Sequence, residues 1–522
     1  APNSMTVADF NDDGFMDILV GAPFADHPTS GSTTADNGIA YIIYGKKPFP
    51  KEIDLKSFTN ADVVIIGRDF GDHLGTAVAA GDVNGDGIPD IILGAPDADG
   101  PLNQDSETGE VYVFWGATNL PREIDLKKVD PPVTLIGRES RAGYGSTLTA
   151  MDFNGDGLKD VIIGQPDGDG PGGSRPSGGV VYVHFGSPKL ISPIPDVGFK
   201  KADLTIYGAS AGDTLGAALS EGDFNADGRM DLAIGAPLAD GPGKENAGQV
   251  YVLSGASALP ATIDLAGSTT TGTGSLQVIG ADAGDRLGTA LDAGDANNDG
   301  FDDLLIGAPM GGGPDNTRGF AGEAYLVLGR TDMPPVIEAD KNGDIAIEIY
   351  GAESLNGLGN AVVLNDLDGD GFADLVVGAS NAKGAGGERA GAGRVVMIKG
   401  RGAFPKQFDL ASDEPNAVMH GDQTGAAFGS ALAVGRLEGD EKGNLLVGAV
   451  GADGPGGRTD SGLVYVFLTV EKEPPTVPIA DAGPDWCTLP GAAGTLNAES
   501  SNDAGGQPQN YRWESVSQPE SG

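Results

Sequence analysis

The chain is short of cysteine, of basic residues and of long apolar runs. It has one Cys, Cys487, in 522 residues, so no disulfide framework holds it. No apolar run approaches the roughly 18 residues that a membrane-spanning helix needs, so no membrane insertion is expected. Lys and Arg number 32 against 75 Asp and Glu, a net charge of −43. That balance repels nucleic acid and anionic lipid, and it suits solubility or a cation-binding role. No Asn-x-Ser/Thr glycosylation acceptor occurs. No signal peptide is recognisable, and the chain begins at Ala1, as expected of a processed or trimmed form.

Glycine, in contrast, is plentiful at 86 residues, and it falls at fixed offsets, which reads as ordered turns. The offsets belong to a repeat. An acidic nonapeptide starts at Asp9, Asp82, Asp152, Asp223, Asp295 and Asp366, at intervals of 70–73 residues. A seventh, degenerate copy starts at Arg436, with Glu441 in place of Gly and Asn444 in place of the last acid. Self-similarity at this length marks a repeat architecture. Each unit reads as four short strands. In the second these are GTAVAAGDV, DIILGAP, GEVYVFWG and VTLIGRES, separated by turn residues and without helical periodicity. First strands such as TAVAA, STLTA and TALDA are rich in small residues, as the crowded axis of a propeller requires. The expected fold is all-β, a seven-bladed β-propeller with four-stranded blades, followed by a partial β-sandwich segment. A linear solenoid would need distinct polar caps at its ends, and none is visible. Only six fourth strands can be found. The missing one is expected from upstream of Ala1 or from the tail after Val470.

Each intact loop offers oxygen at its first, third, fifth, seventh and ninth positions. The sets are Asp9, Asn11, Asp13, Phe15, Asp17; Asp82, Asn84, Asp86, Ile88, Asp90; and Asp152, Asn154, Asp156, Leu158, Asp160. The second half of the chain gives Asp223, Asn225, Asp227, Arg229, Asp231; Asp295, Asn297, Asp299, Phe301, Asp303; and Asp366, Asp368, Asp370, Phe372, Asp374. The seventh position would use its backbone carbonyl, and the Gly before it permits the sharp turn. All-oxygen ligation without His or Cys favours Ca²⁺, about six ions in all. Asp, Asn and Gly also favour plain turns. Six loops holding the ligand positions argue for ligation. The seventh loop's Arg436 is expected to substitute its own charge for an ion. An EF-hand would need a glutamate at its twelfth position and flanking helices, whereas a strand follows here.

The pairs Leu74-Gly75, Tyr144-Gly145 and Phe428-Gly429, the acidic nonapeptides and the GAP triplets Gly94–Pro96, Gly235–Pro237 and Gly307–Pro309 together resemble the FG-GAP repeat. That repeat forms the propeller of integrin α subunits, and the resemblance covers about Met5 to Val470. It departs in having more acidic loops, in GAP drifting to GQP, GAS and GAV, and in lacking an opening FG segment. No inserted adhesion domain and no Asp-x-Ser-x-Ser motif is seen. The resemblance implies a calcium-stabilised extracellular or cell-surface adhesion module, and with one Cys a bacterial surface protein. The tail, PIADAGPD to YRWES, resembles the opening of a PKD-like, immunoglobulin-type domain. The expected boundaries are a propeller over 1–470, a linker over 471–480 and a partial PKD-like domain over 481–522, with further such domains in a longer protein.

In that family the face opposite the acidic loops meets ligand and partner. The exposed candidates there are Arg68, Phe70, His73, Arg138, Arg141, Tyr144 and Arg286, for a protein or glycan ligand. The Gly-x-Ser-x-Gly match at Gly208–Gly212 sits in a repeat turn, not at a strand-to-helix elbow. His27, His73, His184 and His420 show no metal spacing. The chain is therefore expected to be a binding module and no enzyme. The alternative is a propeller of, or ancillary to, a secreted glycan- or glycolipid-degrading enzyme.

Overall fold

The computed structural model describes residues 4–26, 36–100, 107–189, 201–267, 276–341, 343–439, 442–469, 486–488 and 511–512. Alternating small and β-branched residues make each unit a short antiparallel meander. In the second unit Val78–Gly81, Asp90–Ala95, Glu110–Phe114 and Val133–Ile136 pair in chain order. Seven such sheets form, so the fold is the expected all-β, seven-bladed propeller. The ring closes where Phe428–Gly435, the innermost strand of the last blade, packs on Met5–Ala8. Across that seam Met16 N–H donates to Arg436 O (3.3 Å), and Lys46 N–H donates to Leu437 O (3.0 Å).

The four-stranded meander is the unit of every blade, and some sheets extend it. Five sheets carry a fifth strand. In four of them it is a short segment between the third and fourth strands of one blade that reaches back to the blade before. Glu123–Asp125, Thr262–Asp264, Val336–Glu338 and Gln407–Asp409 pair in parallel with Val63–Ile66, Leu204–Tyr207, Leu276–Ile279 and Ile345–Tyr350. These strands cover edges that would otherwise be open. Arg318 forks onto Asp409 of one such strand (2.7 and 2.8 Å), and Arg175 meets Asp264 of another (2.6 Å). Both are charge-assisted bonds that tie successive blades.

The last blade takes its fourth strand from the tail, where Trp486–Thr488 pairs with Leu463–Thr469. Tyr511–Arg512 pairs in parallel with Ala417–His420 of the sixth blade. The remaining residues of the expected linker and PKD-like segment lie outside the described residues.

The paired glycines of the repeat have a steric cause. A Cβ on Gly94 of one GAP triplet would lie 2.1 Å from the carbonyl oxygen of Gly145, in the next blade's FG pair. The same contact recurs between Gly235 and Gly288, Gly307 and Gly359, and Gly378 and Gly429. Neighbouring blades thus touch backbone to backbone near the axis, and no side chain fits between them. The Leu, Tyr or Phe of each FG pair plugs the core beside this contact. Leu74, Tyr144, Leu215, Leu287, Leu358 and Phe428 are all buried.

Gly94→Ala is predicted to lower stability by about 1–3 kcal/mol through overpacking. Gly319→Ala, with no atom within 4 Å of its added methyl, should be near neutral. Urea midpoints compare them, and equal midpoints would refute the close-approach account.

Candidate metal centres and the opposite face

Each acidic nonapeptide is the tight turn between the first and second strands of a blade. Its second residue anchors it from below: Phe10, Val83, Phe153, Phe224, Ala296 and Leu367 are buried. Above this anchor the carboxylates organise the backbone. Asp82 accepts from Gly85 N–H (2.7 Å), Asp86 N–H (3.1 Å) and Gly87 N–H (2.8 Å). Asn84 accepts from Asp86 N–H (2.8 Å), and Asp86 accepts from Ile88 N–H (3.0 Å). The same pattern recurs around Asp223 and Asp295. These bonds wrap the turn's backbone around its first-, third- and fifth-position side chains.

The ninth-position acid behaves differently from the others, and its second role is not visible in the motif. It is fully buried and works as a clamp. Asp90 Oδ2 accepts from Val83 N–H at the start of its own loop (2.9 Å). Its Oδ1 accepts from Gly116 N–H at the end of the third strand (3.0 Å). Asp17, Asp160, Asp303 and Asp374 make both bonds in their own blades. Asp231 accepts from Gly255 N–H and from the Asn225 amide. The signal was present in the sequence as a Gly 26 positions after the acid in most units, such as Gly116 after Asp90. In the degenerate loop Leu437 N–H donates to Asn444 Oδ1 (2.9 Å). Arg436 is exposed, and among the described residues no ion pair is recorded for it.

Burial, with the loop's other acids adding to it, raises the carboxyls of Asp17, Asp90, Asp231 and Asp303 to about 7. A hard cation fits these loops on three grounds. The donors are all oxygen. Asn11 Oδ1 is buried with no hydrogen-bond partner. In the sixth loop ligand oxygens of Asp366, Asp368 and Asp374 lie within 4.8 Å of one another. Seventh-position side chains link adjacent loops, with Leu158 lying over Gly85 and Arg229 over Gly155.

On the opposite face the candidates divide. Phe70 is 64% exposed, and Arg138, Arg141 and Arg286 are exposed. His73 is half-buried, its Nδ1 2.6 Å from Asp97 and its ring 5.0 Å from that of Phe24. Arg68 is largely buried, its Nε donating to Leu126 O (3.2 Å) and its guanidinium over Tyr112. Tyr144 corrects the expectation outright. At 3% exposure it is the aromatic plug of an FG pair, stacked edge-on to Tyr182. Five of the eight exposed large apolar residues among those described, Phe24, Phe70, Phe320, Leu355 and Val450, sit on loops of this face.

If the ninth-position acid is a clamp, Asp90→Ala strands two buried N–H groups and should cost about 2–5 kcal/mol. Asp90→Asn, which mimics Asn444, should cost less than half as much. Equal losses in denaturant melts would show that charge, not the paired acceptors, matters there.

The FG-GAP repeat model matches residues 1–43, 74–114, 144–184, 215–253, 287–327 and 358–396. The chain is 28% identical over 487 residues to phosphatidylinositol-glycan-specific phospholipase D of Bos taurus, covering 89% of this chain and 54% of that protein. The Mus musculus protein of the same name is 27% identical over 502 residues, with the same coverage. Integrin alpha-PS2 of Drosophila melanogaster is 31% identical over 245 residues, 45% of this chain and 15% of that protein. The expectation of no enzyme is overturned here, because relatives matching most of the chain are named as an enzyme. The chain spans about half the length of those relatives. By its six matched repeats and its seven blades, the chain is an FG-GAP repeat propeller, homologous to the integrin alpha subunits.

Proposed function

We propose that this chain is a calcium-stabilised propeller, with one ion in each of six acidic loops, and that it serves a secreted or surface protein acting on phosphatidylinositol-glycans. The observation that carries the calcium reading is the recurrence, in six hairpins, of the same acids above a buried carboxylate, with oxygens of Asp366, Asp368 and Asp374 within 4.8 Å of one another in the sixth. The phospholipase relatives support the glycolipid reading, since they align over 89% of the chain. The loops opposite the acidic turns are the recognition face, and the five exposed apolar residues there support it. An adhesive role is the second reading, favoured by the identity to integrin alpha-PS2.

The magnitudes are consistent with a structural ion. Extracellular modules bind Ca²⁺ with Kd of roughly 10⁻⁴–10⁻³ M. At millimolar calcium each loop then contributes ~0.5–1.6 kcal/mol by mass action. Six loops together rival the ~5–15 kcal/mol net stability of a domain.

Two measurements test this. The buried ninth-position carboxyls are raised to about 7 without an ion, with burial the main cause. Such an acid favours the folded state only while protonated. Its contribution is complete below the unfolded value near 4 and is lost as pH rises through about 7. In EDTA the melting temperature should therefore fall between about pH 4 and pH 7 and stay low above that, whereas in millimolar calcium it should hold. Identical melts with and without EDTA at pH 8 would reject the calcium reading. For the recognition face, binding to vesicles carrying phosphatidylinositol-glycans is expected, at least tenfold weaker after Phe70, Phe320 and Leu355 are changed to Ser. Binding to matrix protein alone would favour adhesion, and unchanged binding by the triple variant would move the site elsewhere.

A further inference from the structure

Five of the six acidic loops carry an amide at the third position: Asn11, Asn84, Asn154, Asn225 and Asn297. The sixth carries a carboxylate, Asp368. A second position departs in the same blade. The residue just before the clamp glycine is Tyr44, Trp115, Phe185, Ser254 or Leu328 in the first five blades, and Lys399 in the sixth. The two departures come from segments 31 residues apart, and they meet. Lys399 Nζ is paired with Asp368 Oδ2, and both side chains are mostly buried, 33% and 25% exposed.

Asp368 divides its two oxygens. Its Oδ1 accepts from Asp370 N–H (3.2 Å), as the amide oxygens of Asn84, Asn225 and Asn297 do for their own fifth-position N–H. The oxygen that an amide could not offer as an anion is the one Lys399 holds. Burial raises Asp370 and Asp374, and the Lys399 charge works against both shifts. The lysine thus holds one member of the cluster formed by Asp366, Asp368 and Asp374. Its charge offsets the extra carboxylate. The ammonium and an incoming divalent ion would repel each other across the same acids.

We propose that Lys399 is a tethered counter-ion of the sixth loop, which weakens calcium binding there and keeps that blade folded when calcium is withdrawn. The inference rests on the calcium reading of the loops. Affinity in oxygen-ligand sites follows the charge presented to the ion. Removing the lysine should therefore expose a four-carboxylate site, tighter than its neighbours and more dependent on its ion.

The test compares the wild-type chain with Lys399→Leu, since Leu328 fills the equivalent place in the fifth blade, and with Lys399→Leu/Asp368→Asn. Calcium is titrated calorimetrically into chelator-stripped protein, and amide hydrogen exchange is followed over Asp374–Ala379 in EDTA. Lys399→Leu should leave the number of ions unchanged and tighten the weakest by roughly tenfold. It should also speed exchange in that strand in EDTA. The double variant should return both readings to those of the asparagine loops. Wild-type protein that takes up no calcium would bring down the calcium reading and this inference with it. Calcium uptake by the wild type, with affinities and exchange unchanged in Lys399→Leu, would overturn the role of Lys399 alone.

Discussion

A buried carboxylate with two backbone N–H groups on it holds together five of the seven blades. In the second blade Asp90 joins the start of the acidic loop to the end of the third strand, so three strands share one anchor. A carboxylate can do this because its two oxygens accept in different directions. Fully buried and in a chain of net charge −43, it is also an electrostatic burden. The loop acids above it add to that burden. In the seventh loop Asn444 keeps an acceptor without the charge.

What the clamp does within a blade, glycine contacts and exchanged strands do between blades. The close approach of Gly94 to Gly145 fixes the spacing near the axis. Parallel pairing of Val63–Ile66 with Glu123–Asp125 fixes it at the rim. Arg318 on Asp409 adds a directional bond at the rim of the fifth blade. A ring locked at both radii presents one face of acidic hairpins and another of longer connections. The second face adds to the closure through Arg458, which pairs with Asp54 across the seam, and large apolar residues such as Phe320 and Leu355 stand exposed on its loops.

Legibility in the sequence followed range. The repeat and the strand positions are local patterns, and the structure agrees with them closely. The six fourth strands counted in the sequence also form, from Val63–Ile66 onward. The fifth strands were missed although EID and TID recur in REIDLKKV and ATIDLAGS. Three residues carry too little periodicity to declare a strand, and their partner lies in another blade. Tyr144 was misplaced for a related reason. Its loop reads as polar and turn-rich, but its own position is the plug of an FG pair.

By itself the sequence determined the number of blades, the small-residue strands near the axis and the oxygen sets of the six turns. Each of these depends on spacing along one unit, and spacing is written in the chain. Only the tertiary structure decided which aspartates face the loop and which clamp the third strand. It alone also showed that Gly94 must lack a side chain because Gly145 of the next blade stands against it, and that Lys399 meets Asp368. Those outcomes depend on atoms brought together across blades or between strands, where distance in space is unrelated to distance along the chain.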